Sequence, residues 1–92
     1  MTKSELIERI AAKMPNLKLR DIDNIVNVIF GRLTSALAEG DRVEIRGFGA
    51  FSVRTRKPRV AINPKNKNRV NVPEKHIIHF KTGKELHEKL NA

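Results

Sequence analysis

The chain has 92 residues, enough for one cored domain and too few for two. Lys and Arg total 19 against 10 Asp and Glu, and the resulting net charge of +9 at pH 7 favours a polyanionic partner, nucleic acid first. The lack of cysteine excludes a disulfide framework, a thiolate nucleophile and a Cys-based zinc site. Neither a signal peptide nor an apolar run near the roughly 20 residues of a membrane span is present, so we expect a cytoplasmic protein.

Two amphipathic helices are predicted in residues 1–40. Thr2 and Glu5 form a capping box, and apolar residues at helical spacing predict a helix from about Lys3 to Met14. A second helix of about twenty residues ends at Gly40. Its apolar stripe, with steps of three and four, comprises Ile22, Ile25, Val26, Ile29, Leu33 and Leu37, widened by Phe30. Two such helices form a hairpin whose apolar surface requires a cover.

From Asp41 the hydrophobic period changes to two, which predicts β-strands. Val43 and Ile45 alternate with polar residues, as do Phe51 and Val53, so we expect a hairpin. The intervening Gly47-Phe48-Gly49 suits a tight connection, because glycine permits a positive φ.

A third strand is expected from His76 to Phe80. A second capping box, at Thr82 to Glu85, then predicts a closing helix from about Gly83 to Asn91. The predicted order is α-α-β-β-β-α, with a separate ribbon inserted before the last strand.

That ribbon is the stretch from Arg56 to Glu74. Apolar residues alternate on both sides of a turn-forming run, which predicts two strands with a tip near Pro64 to Asn68. Seven residues between Arg54 and Val72 are basic and none is acidic. A charge run is most often only a solvated face. An isolated ribbon is also marginal in water, so we expect this arm to be mobile until an anion orders it.

Four motifs together resemble the bacterial HU and integration host factor family. They are Gly47-Phe48-Gly49-Ala50-Phe51, Arg56 to Arg59, Asn63-Pro64-Lys65, and His79-Phe80-Lys81-Thr82-Gly83-Lys84-Glu85-Leu86. The opening residues 1–9 and the strand Val43-Glu44-Ile45-Arg46-Gly47 are most similar to the β-subunit branch of integration host factor.

The resemblance implies an α+β fold and an intertwined dimer that bends double-stranded DNA through the minor groove. It implies one domain over residues 1–92: a helical dimerisation base (1–40), a β-saddle (41–56 and 75–81), a flexible DNA-binding arm (57–74) and a C-terminal helix (82–92). It also implies a place in the bacterial nucleoid and roles in DNA compaction, transcription, recombination and replication.

The arm tip departs from the family pattern, which usually reads Gly-Arg-Asn-Pro-x-Thr-Gly. Here residues 61–67 read Ala-Ile-Asn-Pro-Lys-Asn-Lys, so one arginine and two glycines are missing. The loss of a guanidinium at Ile62 weakens the expected groove contact, whereas Lys67 restores charge. Lys67 stands where the turn favours a positive φ, and we expect Asn66 or Asn68 to take that conformation instead.

Basic side chains along the arm are expected to neutralise phosphates and release counterions. Pro64 has no N–H and a compact apolar ring, so it suits a wedge between base steps; the alternative is an ordinary turn proline. Lys84, at the start of the last helix, and Lys3 suit flanking phosphates. The candidate DNA-contacting residues are Lys3, Glu44, Arg46, Arg54, Arg56, Lys57, Arg59, Asn63, Pro64, Lys65, Lys67, Arg69, Lys75, Lys81 and Lys84.

By resemblance, Arg46 reaches into the minor groove and carries sequence preference, with Glu44 positioning it through an ion pair. The alternative is an ordinary surface pair. The three phenylalanines after residue 40 are expected to pack rather than to stack on bases. The candidate dimer core comprises Ile29, Phe30, Leu33, Phe48, Phe51 and Phe80.

An enzyme is not expected, because no nucleophile with a base and no phosphate-cradling glycine loop is present. His76 and His79 lie three apart on a strand, hence on opposite faces, and no metal site, cofactor or small-molecule substrate follows. Three functions stay open: sequence-preferring bending with itself or a related α-type subunit, HU-like bending without preference as a homodimer, and RNA binding. A purely structural interaction module, the fourth, is disfavoured because it leaves the arm charge unexplained.

Overall fold

A computed structural model describes every residue from Met1 to Ala92. Its elements in chain order are α1 (Lys3–Lys13), α2 (Leu19–Ala38), β1 (Val43–Ile45), β2 (Gly49–Arg56), β3 (Arg59–Ile62), β4 (Arg69–Val72), β5 (Lys75–Thr82) and α3 (Lys84–Leu90). β1, β2 and β5 form an antiparallel sheet in the order β1-β2-β5, and β3 pairs with β4 in a separate ribbon. The predicted α+β class, three-stranded sheet, ribbon arm and closing helix are therefore confirmed.

The chain forms two compact units, residues 1–35 and residues 36–92. In the first unit, Thr2 caps α1, since its hydroxyl accepts a hydrogen bond from the Glu5 N–H at 3.2 Å. Ile7 of α1 packs with two side chains of α2, Ile22 and Val26, and these are the only buried hydrophobic side chains of the chain. This small core leaves most of the predicted α2 stripe open.

The end of α2 follows from Gly40, which adopts a φ of +86°. The Gly40 N–H donates to the Leu37 carbonyl at 3.0 Å and the Asp41 N–H donates to the Ala36 carbonyl at 2.9 Å. This pair of bonds is the Schellman arrangement, which satisfies carbonyls that a helix end leaves open and requires a left-handed residue at the glycine. The predicted stop is confirmed, with the helix itself ending at Ala38.

In the second unit, β1 and β2 are joined by a short turn in which Gly47 has a φ of +84°. The Phe48 N–H donates to the Ile45 carbonyl at 3.0 Å and closes the turn. Gly49 is required for a steric reason, because a Cβ there would lie 2.5 Å from the Phe80 ring and 2.5 Å from the Lys81 carbonyl oxygen. The hairpin thus needs one glycine for its dihedral angle and the next for close packing.

The second capping box is wrong. Thr82 is the last residue of β5, and α3 starts from Gly83 as its N-cap without a side-chain hydrogen bond. The Gly83 N–H instead donates to the Phe48 carbonyl at 2.9 Å, and the Gly83 carbonyl accepts the first hydrogen bond of α3, from the His87 N–H at 3.0 Å. β5 therefore extends two residues beyond the predicted Phe80.

Candidate nucleic-acid interface

The arm is an antiparallel ribbon in which Arg59 pairs with Val72 and Ile62 pairs with Arg69. No side chain between residues 57 and 74 is buried. The charged side chains of the arm are therefore exposed to water, and its two strands have no hydrophobic core of their own. Such a ribbon contributes little to the stability of the fold, but its charge can attract an anionic ligand.

Backbone hydrogen bonds close the tip of the arm. The Asn63 N–H donates to the Asn68 carbonyl at 2.9 Å, and the Lys67 N–H donates to the Asn63 carbonyl at 2.7 Å. Two asparagine side chains reinforce this loop, since Asn63 Oδ1 accepts from the Lys65 N–H and Asn66 Oδ1 accepts from the Asn68 N–H, each at 2.9 Å. In such an Asx turn, the asparagine side chain fixes the backbone N–H of the residue two positions later.

The expectation that Asn66 or Asn68 takes the positive φ is wrong, because Lys67 itself adopts a φ of 58°. Asn66 is occupied by its turn to Asn68, which spans Lys67 and fixes its conformation. Pro64 lies exposed in the same loop. The tip thus presents a proline between ordered asparagines without a glycine.

A cationic concavity of about 610 Å³ lies at the root of the arm. Four of its lining residues are basic, none is acidic, and two prolines and two apolar residues complete it. The lining residues are Arg56, Lys57, Arg59 and Lys75 with Pro58, Val72, Pro73 and Ile77. Four of the predicted DNA-contacting residues therefore converge on one surface.

A second concavity, of about 630 Å³, lies beside the β1–β2 turn. Arg42, Arg46 and Lys81 line it together with Glu44. The Gly83 to Phe48 hydrogen bond attaches the start of α3 to this turn, which places Lys84 next to it in the same unit.

The predicted ion pair between Glu44 and Arg46 is wrong for this chain. Glu44 Oε2 lies 3.9 Å from Arg42 Nε, and this is the only salt bridge. Arg46 follows the last residue of β1 and belongs to the turn, so strand alternation does not hold it on the face of Glu44. Both partners of the observed pair are more than 60% exposed, at 62% for Arg42 and 73% for Glu44.

Lys3 lies in the first unit, away in sequence from the arm. Its Nζ donates to Asn27 Oδ1 at 2.7 Å, and the Asn27 amide donates to Asp23 at 3.3 Å. The ammonium group is exposed and held by a neutral acceptor.

The phenylalanines of the second unit pack on one another. The rings of Phe51 and Phe80, paired across β2 and β5, have centroids 4.6 Å apart, and Phe48 lies 5.4 Å from Phe80. Such separations are typical of packed aromatic pairs. Phe48 nevertheless stays 44% exposed, as do Ile29 and Phe30 of the first unit at 51% and 47%.

Three residues of these surfaces were absent from the sequence-based set. Arg42 lines the second concavity, Asn66 fixes the arm tip, and the Glu85 carboxylate lies against Gly47, where a Cβ would come within 2.7 Å of its Oε2. Arg42 directly precedes β1 and lies two residues before Glu44, and this spacing was a usable signal. No local pattern indicates the Glu85 contact.

The chain matches the family model described as bacterial DNA-binding protein over residues 1–91. It is 55% identical to integration host factor subunit beta of Cupriavidus metallidurans over 99% of this chain and 67% of the relative. It is 53% identical to the same subunit of Azoarcus sp. over 99% of this chain and 97% of the relative. The chain spans 66% of the Cupriavidus pinatubonensis relative, to which it is 55% identical.

Two of the solved structures that share the fold are HU proteins. A cocrystal structure of Anabaena HU with DNA has a TM-score of 0.84 at 31% identity, covering 98% of this chain and 97% of that one. HU from Thermotoga maritima has a TM-score of 0.66 at 34% identity, covering 98% of each chain. None of the three helices is long and apolar enough to span a membrane. The chain belongs to the bacterial DNA-binding family of HU and integration host factor, whose members are non-enzymatic, as expected from the sequence.

Proposed function

We propose that the protein bends double-stranded DNA as a dimer in the bacterial nucleoid. Each arm enters the minor groove, and Pro64 wedges between base steps at its tip. The observation that carries this proposal is the arm itself: a ribbon without buried side chains, rich in Lys and Arg, that ends in an ordered loop with an exposed proline. The match to an HU structure crystallised with DNA supports the same partner.

The chemistry of the arm suits the backbone of a duplex. Arg and Lys side chains along it displace condensed counterions from phosphates, and each contact adds roughly 0.9 to the slope of log affinity against log salt. Residues proposed for these contacts are Arg54, Arg56, Lys57, Arg59, Lys65, Lys67, Arg69 and Lys75. Binding is therefore expected to weaken steeply as salt rises.

Bending has a cost that a single arm offsets poorly. Smoothly bending a 20 to 30 base-pair site by 40 to 90° costs on the order of 1 to 6 kcal/mol. A proline wedge unstacks one step without leaving an N–H unsatisfied, and two arms place two kinks at a fixed spacing. Lys81, Lys84 and Lys3 then hold the flanking DNA through phosphate contacts, and Arg46 reaches into the minor groove and carries sequence preference.

A dimer also explains the apolar surface of the first unit. Ile25, Ile29 and Phe30 are each about half exposed in the single chain, at 51%, 51% and 47%. Burying such side chains against a second chain is favourable in proportion to the apolar area removed from water. The proposed dimer core adds Leu33 and the phenylalanines 48, 51 and 80, with residues 1–40 as its base and 57–74 as the arm.

Energy transfer between dyes on the ends of a ~35 base-pair duplex, a length that exceeds the 20 to 30 base pairs of a typical bent site, tests bending directly. The expected result is a shorter end-to-end distance with the wild type and a much smaller shortening with Pro64→Ala at equal DNA occupancy. Pro15→Ala, which changes a proline in the helical connection, is the matched control and retains full bending. A duplex that stays straight when bound by the wild type contradicts the proposal.

A second mode of the same activity is HU-like bending without sequence preference by a homodimer. The two solved structures support it, because both are HU proteins. The curated relatives instead support the integration host factor mode, with a related α-type subunit as partner. Equal affinity for a random duplex and a selected site identifies the HU-like mode, and preference for double-stranded RNA contradicts both.

A further inference from the structure

Ile62 is an apolar side chain that is exposed to water near the tip of the arm. It is the last residue of β3 and directly precedes the tip residues Asn63 and Pro64. Its side chain is 66% exposed, more than Val60 at 59% or Val70 at 46%. Val60, two residues earlier on the same strand, is also exposed, so β3 carries a short apolar edge that leads to the tip.

The register of the arm decides which residues share the face of Ile62. Ile62 pairs with Arg69, and Val60 pairs with Asn71. Because side chains alternate along a strand, these four residues lie on one face of the ribbon, and Val70 lies on the other. One face therefore combines an apolar edge along β3 with a guanidinium and an amide along β4.

The distance from Ile62 to Pro64 corresponds to about two base-pair steps of DNA. A strand advances about 3.3 Å per residue, and bases along one strand are spaced by about 3.4 Å. A residue two positions before Pro64 therefore reaches the base pairs about two steps from the kink. The Arg69 guanidinium on the same face is then free to contact a phosphate while Ile62 lies over the groove.

We propose that Ile62 is a specificity-determining residue that disfavours G·C pairs beside each kink. This inference rests on the proposed insertion of the arm into the minor groove. There an A·T pair presents only the acceptors N3 and O2, whereas a G·C pair adds the N2 amino donor. Ile62 excludes water and accepts no hydrogen bond, so the amino group of guanine loses its partner on binding.

The test uses duplexes nicked at two positions to fix the kinks, with an A·T, G·C or inosine·C pair two steps from one nick and A·T pairs around the other. Inosine lacks the N2 amino group and otherwise matches guanine. The wild type is expected to bind the A·T and inosine·C duplexes about equally and the G·C duplex about tenfold more weakly, the size of effect that one mismatched base pair produces.

Two uncharged substitutions locate the effect. Ile62→Gln supplies a carbonyl that accepts from guanine N2, so the tenfold ratio is expected to fall to about twofold or less without a change in salt dependence. Val70→Gln makes the same change on the opposite face and is expected to retain the ratio. Circular dichroism checks that both variants remain folded.

The outcomes separate the inference from the proposed function. An unchanged ratio in Ile62→Gln, or an inosine·C duplex that binds as weakly as G·C, overturns the role of Ile62 while bending stands. Energy transfer on the same duplexes tests bending itself, and its absence with the wild type overturns both.

Discussion

The sheet β1-β2-β5 and the arm β3-β4 are both antiparallel, yet different interactions stabilise them. In the sheet, the ring centroids of Phe51 and Phe80 lie 4.6 Å apart, and the Phe80 ring lies so close to Gly49 that it leaves no room for a Cβ there. In the arm no side chain is buried, and the oxygens of Asn63 and Asn66 order the tip. Under the proposed function, substitutions in the sheet should therefore change stability, and substitutions in the arm should change DNA binding.

The largest effect on stability is expected for Gly49→Ala. Its new Cβ would lie 2.5 Å from both the Phe80 ring and the Lys81 carbonyl oxygen, and the backbone oxygen moves only with the strand. Overpacking of this kind costs about 1 to 3 kcal/mol, and we expect the free energy of unfolding measured in urea to fall by about 3 kcal/mol.

Gly31→Ala is the matched control. A Cβ at Gly31 meets nothing within 4 Å, and this position lies two and a half turns from the buried Ile22, on the open side of α2. Replacing a helical glycine by alanine is expected to stabilise by about 1 kcal/mol. A loss of stability comparable to that of Gly49→Ala would contradict the distinction.

Arm charges are expected to show the opposite behaviour. Arg69→Ala removes an exposed arm cation, so the free energy of unfolding should change by less than about 0.5 kcal/mol. The slope of log affinity against log salt should fall by roughly 0.9 for each arm that loses a phosphate contact. Fluorescence titrations at several salt concentrations measure it, and an unchanged slope would remove Arg69 from the interface.

Smaller changes are expected at Lys67, whose φ of 58° is strained for a residue with a Cβ. Lys67→Gly and Lys67→Ala remove the same charge, but only glycine relieves a strain of roughly 1 kcal/mol. Amide exchange at the tip should therefore be slower in the glycine variant than in the alanine variant. Equal exchange in the two would contradict a left-handed Lys67 in solution.

The smallest effect is expected for the ion pair of Arg42 and Glu44. Both side chains are largely exposed, and such pairs contribute about 0 to 1 kcal/mol before screening by salt. A double-mutant cycle in urea unfolding should give a coupling energy below about 0.5 kcal/mol. A coupling between Glu44 and Arg46 instead would restore the predicted pair.

The sequence was sufficient for the elements because they follow from periodicity and from strong local signals. The stripe with Ile22 and Val26 predicts α2, and Gly40 marks its end. Tertiary contacts decided the rest. Thr82 matches a helix cap but pairs with Gly49 in the sheet instead, and Lys67 takes the left-handed conformation because neighbouring asparagines are engaged in turns.

For the interface, composition located the basic arm but not its fine geometry. Arg46 fell in a turn because β1 ends at Ile45, a boundary that alternation does not define. Glu44 pairs instead with Arg42, which directly precedes β1. Boundaries and side-chain partners are set by packing, which a single sequence does not encode locally.

Residue-resolved amide hydrogen exchange, with and without duplex DNA, tests the difference between sheet and arm most directly. We predict that amides of β2 and β5 are protected in both states, and that amides of β3 and β4 are weakly protected in the free protein and strongly protected in the complex. An arm already as protected as the sheet without DNA, or unchanged when DNA is added, would contradict the assignment of the arm to ligand binding.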